Sequence, residues 1–245
     1  MKQIIFISIL LLYNLCWAPQ QVFSQNQNTK MIVYYIPGQG ADHRLFNNID
    51  LGENYEVRFV KYEIPERREK METYARRLAT QIDTTQSFVL MGTSLGGMLA
   101  TEMTDFLNPE KTIIISSAKC RKELPQRYRF QRVIPLHKLV PKGMMKWGAK
   151  VMQPIVEPDR NKEKETFKSM LADKDKRFMK RSVNMIINWK RDSYDDGIIH
   201  IHGNKDNTLP IKKVKYDYLI EDGSHMMTLT RGKELSSMIL EILKK

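Results

Sequence analysis

Apolar and polar positions along the chain follow two patterns, one typical of strands and one typical of helices. Short apolar runs and one period-two alternation predict strands, several of them buried on both faces, at residues 31–36, 55–59, 88–91, 112–116, 198–201 and 214–220. Apolar residues three and four apart predict helices within residues 71–82, 95–103 and 235–243. This order predicts an α/β fold, in which helices cover both faces of a mostly parallel sheet.

The stretch 119–190 departs from this order, because it contains no convincing strand. Prolines divide its first part into short pieces, and its second part carries helical stripes such as Phe178, Met185 and Ile186. It holds 20 Lys and Arg against 7 Asp and Glu, a net charge of +13, whereas the whole chain carries +12. We interpret 119–190 as a helical cap, inserted into a core that comprises 25–118 and 191–245.

The first 24 residues have the pattern of a secretory signal peptide. Lys2 precedes an apolar run over residues 4–12, which is short of the roughly 20 apolar residues that a membrane span needs. Small residues predict cleavage after Ser24, and an uncleaved membrane anchor is the alternative. We therefore expect an exported protein, periplasmic or extracellular. The cleaved chain keeps a single cysteine, Cys120, so no internal disulfide is expected, and a small residue near the core is its default role.

Composition narrows the class of protein further. Over 245 residues, 42% hydrophobic and 28% charged residues are ordinary for a globular chain, and they exclude wholesale disorder or a low-complexity architecture. The sequence shows no metal-ligand cluster and no nucleotide motif, so we expect neither a metal nor another cofactor. Nucleic acid is not expected as a partner despite the positive charge, because the chain is predicted to be exported and carries no recognition motif.

The segment Gly92-Thr93-Ser94-Leu95-Gly96 fits the G-x-S-x-G pattern of a nucleophile elbow. The motif alone is weak, but here it follows a predicted buried strand and opens an amphipathic helix. In that context the glycines permit a sharp turn with close approach of strand and helix, and the serine projects from the turn. Ser94 is therefore the candidate nucleophile. The competing interpretation is a Gly-rich strand-to-helix turn with an incidental serine.

A serine hydroxyl needs a base to remove its proton, and His225 is the candidate among five histidines. It lies directly after the last predicted strand, at the sheet edge where the carboxyl ends of the strands meet and where the serine is also expected. His43 follows the first strand at the same edge. His200 and His202 lie within a strand, where packed or hydrogen-bonded side chains are expected, and His137 lies in the basic insertion.

The base in turn needs an acid that fixes its tautomer and stabilises its charged form. Asp206 lies in a polar turn just after the fifth predicted strand, and Glu123, after the fourth, is the second choice. An aspartate in a polar turn is common in itself. The order Ser94, Asp206, His225 nevertheless matches the Ser…Asp/Glu…His order of hydrolases with a nucleophile elbow.

Negative charge that develops on a substrate oxygen needs hydrogen-bond donors. One is expected to be the backbone N–H of Leu95, directly after the serine. The other is expected to be the backbone N–H of Gln39, in the loop Pro37-Gly38-Gln39-Gly40 after the first strand. A phosphate-binding loop is the alternative there, but the Lys and Ser/Thr that such a loop requires are missing.

These motifs together resemble the α/β-hydrolase superfamily. They are the Pro-Gly-x-Gly loop, the Gly-Thr-Ser-Leu-Gly-Gly elbow, the His-Gly-x-x-Asp turn and the Gly-Ser-His sequence before the final helix. The resemblance implies the same site residues, namely a triad of Ser94, Asp206 and His225 with oxyanion donors at Gln39 and Leu95. It also implies a cap where 119–190 falls. The chain departs from the family pattern in lacking clear first and second strands, so we expect a reduced sheet of about six strands. It also has Pro37-Gly38 where many members have His-Gly.

The resemblance implies a serine hydrolase that cleaves a carboxylic ester or thioester of a small molecule through an acyl-enzyme on Ser94. Two alternatives stay open: a non-catalytic binding protein on the same fold, and a hydrolase of C–C bonds, amides or lactones that uses the same triad. Apolar residues such as Met144, Met145 and Trp147 lie among the lysines of the predicted cap. That mixture suits an anionic membrane surface or an acyl chain, and a merely solvated lid is the alternative.

Overall fold

The computed structural model describes residues 30–133, 151 and 159–245. Within these residues six strands form one sheet, namely β1 (Met31–Ile36), β2 (Tyr55–Phe59), β3 (Phe88–Thr93), β4 (Lys111–Ile115), β5 (Ile198–Gly203) and β6 (Tyr218–Ile220). Their order across the sheet is β2-β1-β3-β4-β5-β6, and every neighbouring pair is parallel. The predicted α/β fold with a parallel sheet of about six strands is confirmed.

Helices connect these strands or follow them. They are α1 (Met71–Ala79), α2 (Leu95–Met103), α3 (Gln126–Val133), α4 (Lys164–Asp173), α5 (Lys176–Ile187), α6 (Met227–Thr230) and α7 (Gly232–Lys244). The helices α3, α4 and α5 lie between β4 and β5, inside the predicted insertion 119–190, whose described residues form helices and no strand. The division into cap and core stays a prediction.

Alternate side chains of β1 enter two separate cores, one on each face of the sheet. Tyr34 and Ile36 pack on the face that α1, α2 and α5 cover, whereas Val33 and Tyr35 pack on the face that α7 covers. Strands buried on both faces need apolar residues at every position, which explains the continuous apolar runs of the sequence. Each large apolar side chain that is fully buried in this way contributes about 1.5–3 kcal/mol to stability.

The last strand is shorter than the sequence predicted. The apolar pattern predicted a strand over 214–220, but β6 spans only Tyr218–Ile220. The residues before it bind elsewhere: the backbone N–H of Lys215 donates to Glu123 (3.0 Å), and its carbonyl accepts from the His200 side chain (2.8 Å). Because side chains bind the backbone of Lys215, its polar groups are satisfied without ladder pairing. Two residues later, the Asp217 N–H donates to the His200 carbonyl of β5 (2.8 Å).

Several sequence predictions lie outside the described residues. They are the signal peptide with its cleavage after Ser24, His137, and the apolar cap residues Met144, Met145 and Trp147. None of the helices in the described ranges combines the length and the apolar composition that a membrane span requires.

Candidate active site

The sheet brings four predicted site loops to one edge. In a parallel sheet the carboxyl ends of all strands lie on the same side, so the loops that follow them are neighbours. Gln39 follows β1, Ser94 follows β3, Asp206 follows β5, and His225 follows β6. Strands β1 and β3 are adjacent, as are β5 and β6.

Ser94 occupies a strained turn between β3 and α2. Its φ of 54° and ψ of −117° lie outside the regions that L-residues prefer, a conformation that costs on the order of 1–3 kcal/mol. The turn is tightly enclosed, since a Cβ on Gly92 would lie 2.3 Å from the Gly96 carbonyl oxygen, and one on Gly96 would lie 2.0 Å from the Ile36 carbonyl oxygen. No side chain fits at either position, so the two glycines of the motif are sterically required. The predicted elbow is therefore present.

Hydrogen bonds fix the backbone of Ser94 in this conformation. Its N–H donates to the Ile115 carbonyl in β4 (3.0 Å). Its carbonyl accepts from the Ser117 hydroxyl (2.7 Å). Directly before it, the hydroxyl of Thr93 is hydrogen-bonded to that of Thr228 in α6 (3.1 Å), which ties the elbow to the helix that follows His225. The strained turn is thus held from three neighbouring elements.

Ser94, His225 and Asp206 form one chain of hydrogen bonds. The Ser94 Oγ lies 2.9 Å from His225 Nε2, and His225 Nδ1 lies 2.8 Å from Asp206 Oδ2. A carboxylate only accepts, so the Nδ1 nitrogen must carry the proton and donate a hydrogen bond to Asp206. In a neutral imidazole Nε2 then carries no proton, so it accepts a hydrogen bond from the Ser94 hydroxyl. The three residues predicted from separate motifs are thus joined in the order that base-assisted nucleophilic attack requires.

Asp206 is buried yet remains ionised. Burial, the largest effect, raises the pKa of its carboxyl. The hydrogen bond from His225, the positive charge that this imidazole carries when protonated, and the Leu209 backbone N–H all lower it. The net effect holds the pKa below the ordinary value of an aspartate. Its second oxygen accepts from the backbone N–H groups of Thr208 and Leu209, each at 2.8 Å. The carboxylate is therefore oriented by its own turn as well as by the imidazole.

Two other histidines near this acid have structural roles. The His202 ring donates from Nε2 to the Leu209 carbonyl (2.8 Å), and the His200 ring donates from Nδ1 to the Lys215 carbonyl (2.8 Å). Both are fully buried, and burial is the main cause that lowers both pKa values. The expectation of packed, hydrogen-bonded histidines in this strand is confirmed.

The remaining alternatives lie away from the hydrogen-bonded chain. His43 is 65% exposed at its side chain and lies edge-on to Phe59, with ring centroids 5.9 Å apart. Glu123, the second-choice acid, is buried and accepts from the backbone N–H groups of Lys119 (2.6 Å) and Lys215 (3.0 Å). That carboxylate joins the loop after β4 to the segment before β6, so its contacts are structural. Cys120 is a buried free thiol, in line with the default role expected of it.

The two predicted oxyanion donors flank Ser94. Leu95 is the first residue of α2, and at a helix N-terminus the first N–H groups have no partner within the helix and carry partial positive charge. The loop that carries Gln39 lies against the serine, because a Cβ on Gly38 would be 3.4 Å from the Ser94 Cβ. Among the residues that the structure describes, no acceptor pairs with the backbone N–H of Leu95 or of Gln39.

Similarity to solved structures identifies the fold. A thermophilic esterase from Thermogutta terrifontis matches with a TM-score of 0.69 and 16% sequence identity, over 88% of this chain and 90% of that one. The enol-lactonase from Burkholderia xenovorans matches with a TM-score of 0.68 and 14% identity, over 88% and 92%. MenH from S. aureus matches with a TM-score of 0.66 and 16% identity, over 87% and 93%. The chain has the α/β-hydrolase fold. No protein-family model matches the sequence, and no curated protein matches it significantly.

Sequence reasoning missed the contacts that hold the Gln39 loop of this α/β-hydrolase fold. The Tyr62 hydroxyl donates to the Pro37 carbonyl (2.5 Å), and the Gln39 side chain donates to the Ser182 hydroxyl (2.8 Å). The partners lie 25 and 143 positions away along the chain, and no motif in the sequence connects them.

A pocket of about 360 Å³ opens beside the same loop, between the end of β2 and helices α4 and α5. Aromatic and apolar side chains line much of it, including Phe59, Tyr62, Met170 and Phe178. Neither Ser94 nor His225 belongs to this lining. In the described ranges, no group of three or more His, Cys, Asp or Glu side chains is arranged to hold a metal ion.

Proposed function

We propose that this protein is a serine hydrolase that cleaves a carboxylic ester or thioester of a small molecule through an acyl-enzyme on Ser94. The observation that supports it is the hydrogen-bonded chain Ser94–His225–Asp206, with Ser94 at a strained elbow. Each of the three has the partner that nucleophilic catalysis requires: a base at the nucleophile and an ionised acid at the base.

Acylation begins when the Ser94 Oγ attacks the carbonyl carbon of the substrate. As the new C–O bond forms, the hydroxyl proton passes to Nε2 of His225, and Asp206 stabilises the resulting imidazolium. The carbonyl electron pair moves to the substrate oxygen, which accepts from the backbone N–H groups of Leu95 and Gln39. The tetrahedral intermediate then collapses, and the alcohol or thiol leaves with the proton that His225 carried.

Deacylation repeats these steps with water as the nucleophile. His225 takes a proton from the water, whose oxygen attacks the acyl carbon. The second intermediate collapses with Ser94 as the leaving group, and His225 returns the proton to the Ser94 Oγ. A carboxylic acid is released, and the enzyme regains its starting protonation state. Neither acylation nor deacylation involves a redox change or a cofactor.

Covalent labelling separates this proposal from a non-catalytic binding protein. A fluorophosphonate probe reacts with a serine only when a base activates its hydroxyl, so the intact protein should gain one probe adduct by mass spectrometry. Peptide mapping should place the adduct on Ser94. A folded protein without any adduct would favour the binding protein instead.

The bond that is cleaved is best determined with a matched set of substrates. Esters and thioesters of one acyl group and the corresponding amide differ only in the leaving group, and a lactone of similar size adds a cyclic ester to the set. The enol-lactonase among the similar structures is the reason to include the lactone. The proposal predicts the highest kcat/KM for the ester or thioester. A preference for the lactone or amide by tenfold or more would shift the assignment to that class.

We also propose that the protein is exported after cleavage near Ser24 and that its basic 119–190 segment contacts an anionic membrane surface. On α3, Phe130 is 55% exposed, and Arg127, three residues before it, and Arg132, two residues after it, are exposed as well. A helix that exposes both an apolar side chain and cations suits the headgroup region of an anionic bilayer.

Vesicle binding tests the membrane contact. Binding to vesicles of phosphatidylserine and phosphatidylcholine should weaken steeply as salt rises towards 0.1 M, where the Debye length is about 10 Å. An Arg132→Glu variant should bind more weakly, since each basic residue near the surface contributes about 1 kcal/mol. Co-sedimentation with pure phosphatidylcholine vesicles is the matched control. Equal binding to both vesicles, or none to either, would leave 119–190 as a solvated lid.

A further inference from the structure

The loop Pro37-Gly38-Gln39-Gly40, which follows β1, carries the proposed donor Gln39 and is called the oxyanion loop below. The side chain of Gln39 anchors this loop to helix α5. Its Nε2 donates to the Ser182 hydroxyl (2.8 Å) and to the Met179 carbonyl (3.2 Å). The Met179 carbonyl can only accept, so the amide nitrogen, rather than the amide oxygen, faces the helix. The anchor therefore joins the loop after β1 to the insertion between β4 and β5.

Ser182 is suited to hold this amide in one place. Its side chain is fully buried, and its hydroxyl donates to the Phe178 carbonyl one turn earlier in α5 (2.8 Å). Because its single proton is used there, the hydroxyl oxygen accepts from Gln39. The same hydroxyl also lies 3.2 Å from the Met179 carbonyl oxygen. Both roles of this buried hydroxyl are therefore satisfied, and leaving a buried partner unpaired is unfavourable.

A second contact holds the beginning of the same loop and depends on the same helix. The Tyr62 hydroxyl donates to the Pro37 carbonyl (2.5 Å), and the Tyr62 ring stacks on Phe178 of α5 with centroids 5.2 Å apart. Beyond Gln39, the loop is pressed against α5, because a Cβ on Gly40 would lie 2.7 Å from the Met179 sulfur. Helix α5 thus supports the loop before, at and after Gln39.

We propose that Ser182 is a positioning residue, which acts through the Gln39 side chain to aim the Gln39 backbone N–H at the oxygen that becomes negative. This rests on the proposed function, in which that N–H is an oxyanion donor. Gln39 lies between Gly38 and Gly40, whose backbone is conformationally free, so the loop needs an external anchor. The donor nitrogen must lie about 2.7–3.1 Å from the oxyanion. If the loop were not anchored, a small rotation of the peptide group that carries the Gln39 N–H would move this nitrogen out of that range.

The test is a double-mutant cycle on Ser182→Ala and Gln39→Ala, measured on an ester substrate. Complete removal of an oxyanion donor lowers kcat by about 100- to 1,000-fold. A donor that is present but no longer anchored should lower kcat by less, about 10- to 100-fold. KM should stay within about twofold, because the donor acts on the transition state. Both substitutions break the Gln39–Ser182 hydrogen bond, and Gln39→Ala also removes the bond to the Met179 carbonyl. Adding Ser182→Ala to Gln39→Ala should therefore make the enzyme no slower than Gln39→Ala alone.

Two further measurements separate positioning from a loss of stability. The inhibition constant of a boronic acid, which forms a tetrahedral adduct with the serine, should rise in proportion to the loss in kcat/KM. The control is Ser236→Ala, since Ser236 is also buried, donates to a carbonyl one helical turn earlier, the Gly232 oxygen (2.8 Å), and accepts from the backbone N–H of Asp50 (2.9 Å). It should lose thermal stability but keep wild-type kcat.

The outcomes distinguish this inference from the proposed function. If Ser182→Ala and Gln39→Ala both keep wild-type kcat and inhibitor affinity, the positioning role is wrong while a Ser94-dependent activity still stands. If Ser182→Ala does not fold, Gln39→Ala reports on the same hydrogen bond from the less buried side of the contact. Ester hydrolysis that survives Ser94→Ala would overturn the proposed function and this inference together.

Discussion

Ester hydrolysis should fall by about a million-fold in kcat when Ser94 is replaced by alanine, as it does in a serine protease that loses its nucleophile. The reason is that the Ser94 Oγ is the hydroxyl placed for attack, since it lies 2.9 Å from His225 Nε2. Initial rates with an ester substrate at saturating concentration measure the effect. The fold should survive, because the Oγ contributes one hydrogen bond and the backbone is held by Ile115 and Ser117.

A matched control is Ser237→Ala, which removes an exposed hydroxyl from α7 and should leave both rate and labelling unchanged. Circular dichroism and the melting temperature should be close to wild type for both variants. Retention of more than about one-hundredth of the activity in a folded Ser94→Ala protein would contradict the assignment, because the oxyanion donors and substrate binding alone leave far less.

The fold was predictable because its signals are local and repeated. The central strands are buried on both faces, so each appears in the sequence as an uninterrupted apolar run. The exception was the last strand, where an apolar pattern over 214–220 yielded only the short strand Tyr218–Ile220. The difference comes from the side chains of Glu123 and His200, which bind the backbone of Lys215. Such competition arises only in the folded state, so hydrophobic periodicity cannot reveal it.

The hydrogen-bonded chain was predictable for a topological reason. A parallel sheet places the residues after its strands along one edge, so the positions of Ser94, Asp206 and His225 relative to the predicted strands already bring them near each other. The choice between Asp206 and Glu123 was harder, since both follow strands of this sheet. The Glu123 carboxylate accepts from backbone N–H groups, whereas the Asp206 carboxylate accepts from the imidazole. Which of the two acids reaches His225 depends on the backbone conformation of the turns that carry them, and the sequence does not specify it.

The support of the oxyanion loop could not be predicted in the same way. Gln39 and Ser182 are 143 residues apart, and no sequence motif includes both of them. Their contact depends on how α5 packs over the loop after β1. The loop backbone was predictable from its glycines, but the side chain that fixes its direction was not.

Replacement of Asp206 by asparagine should lower kcat by about 10,000-fold, while leaving the geometry of the site nearly intact. An asparagine can turn its NH₂ group towards His225 Nδ1, which then accepts and leaves the proton on Nε2. That tautomer cannot take the Ser94 proton. The wild-type rate should rise with pH between about 5 and 8, as neutral imidazole forms, and the variant should lack most of this rise. The control is Glu123→Gln, which changes a buried carboxylate without contact to His225 and should lower stability rather than kcat.

Stability against pH gives an independent measure of the same carboxylate. The folded protein holds the pKa of Asp206 below its ordinary value, so the folded state favours the charged form. This contribution is complete above the pKa of an unfolded aspartate, about 3.9, and is lost as pH falls through the lower folded value. The difference in unfolding free energy between wild type and Asp206→Asn should therefore shrink as pH falls below about 4. Urea unfolding at pH 5 and pH 3, where the imidazole is protonated in both variants, measures it. A difference that grows between pH 5 and pH 3, or a crippled Glu123→Gln beside an active Asp206→Asn, would place the acid elsewhere.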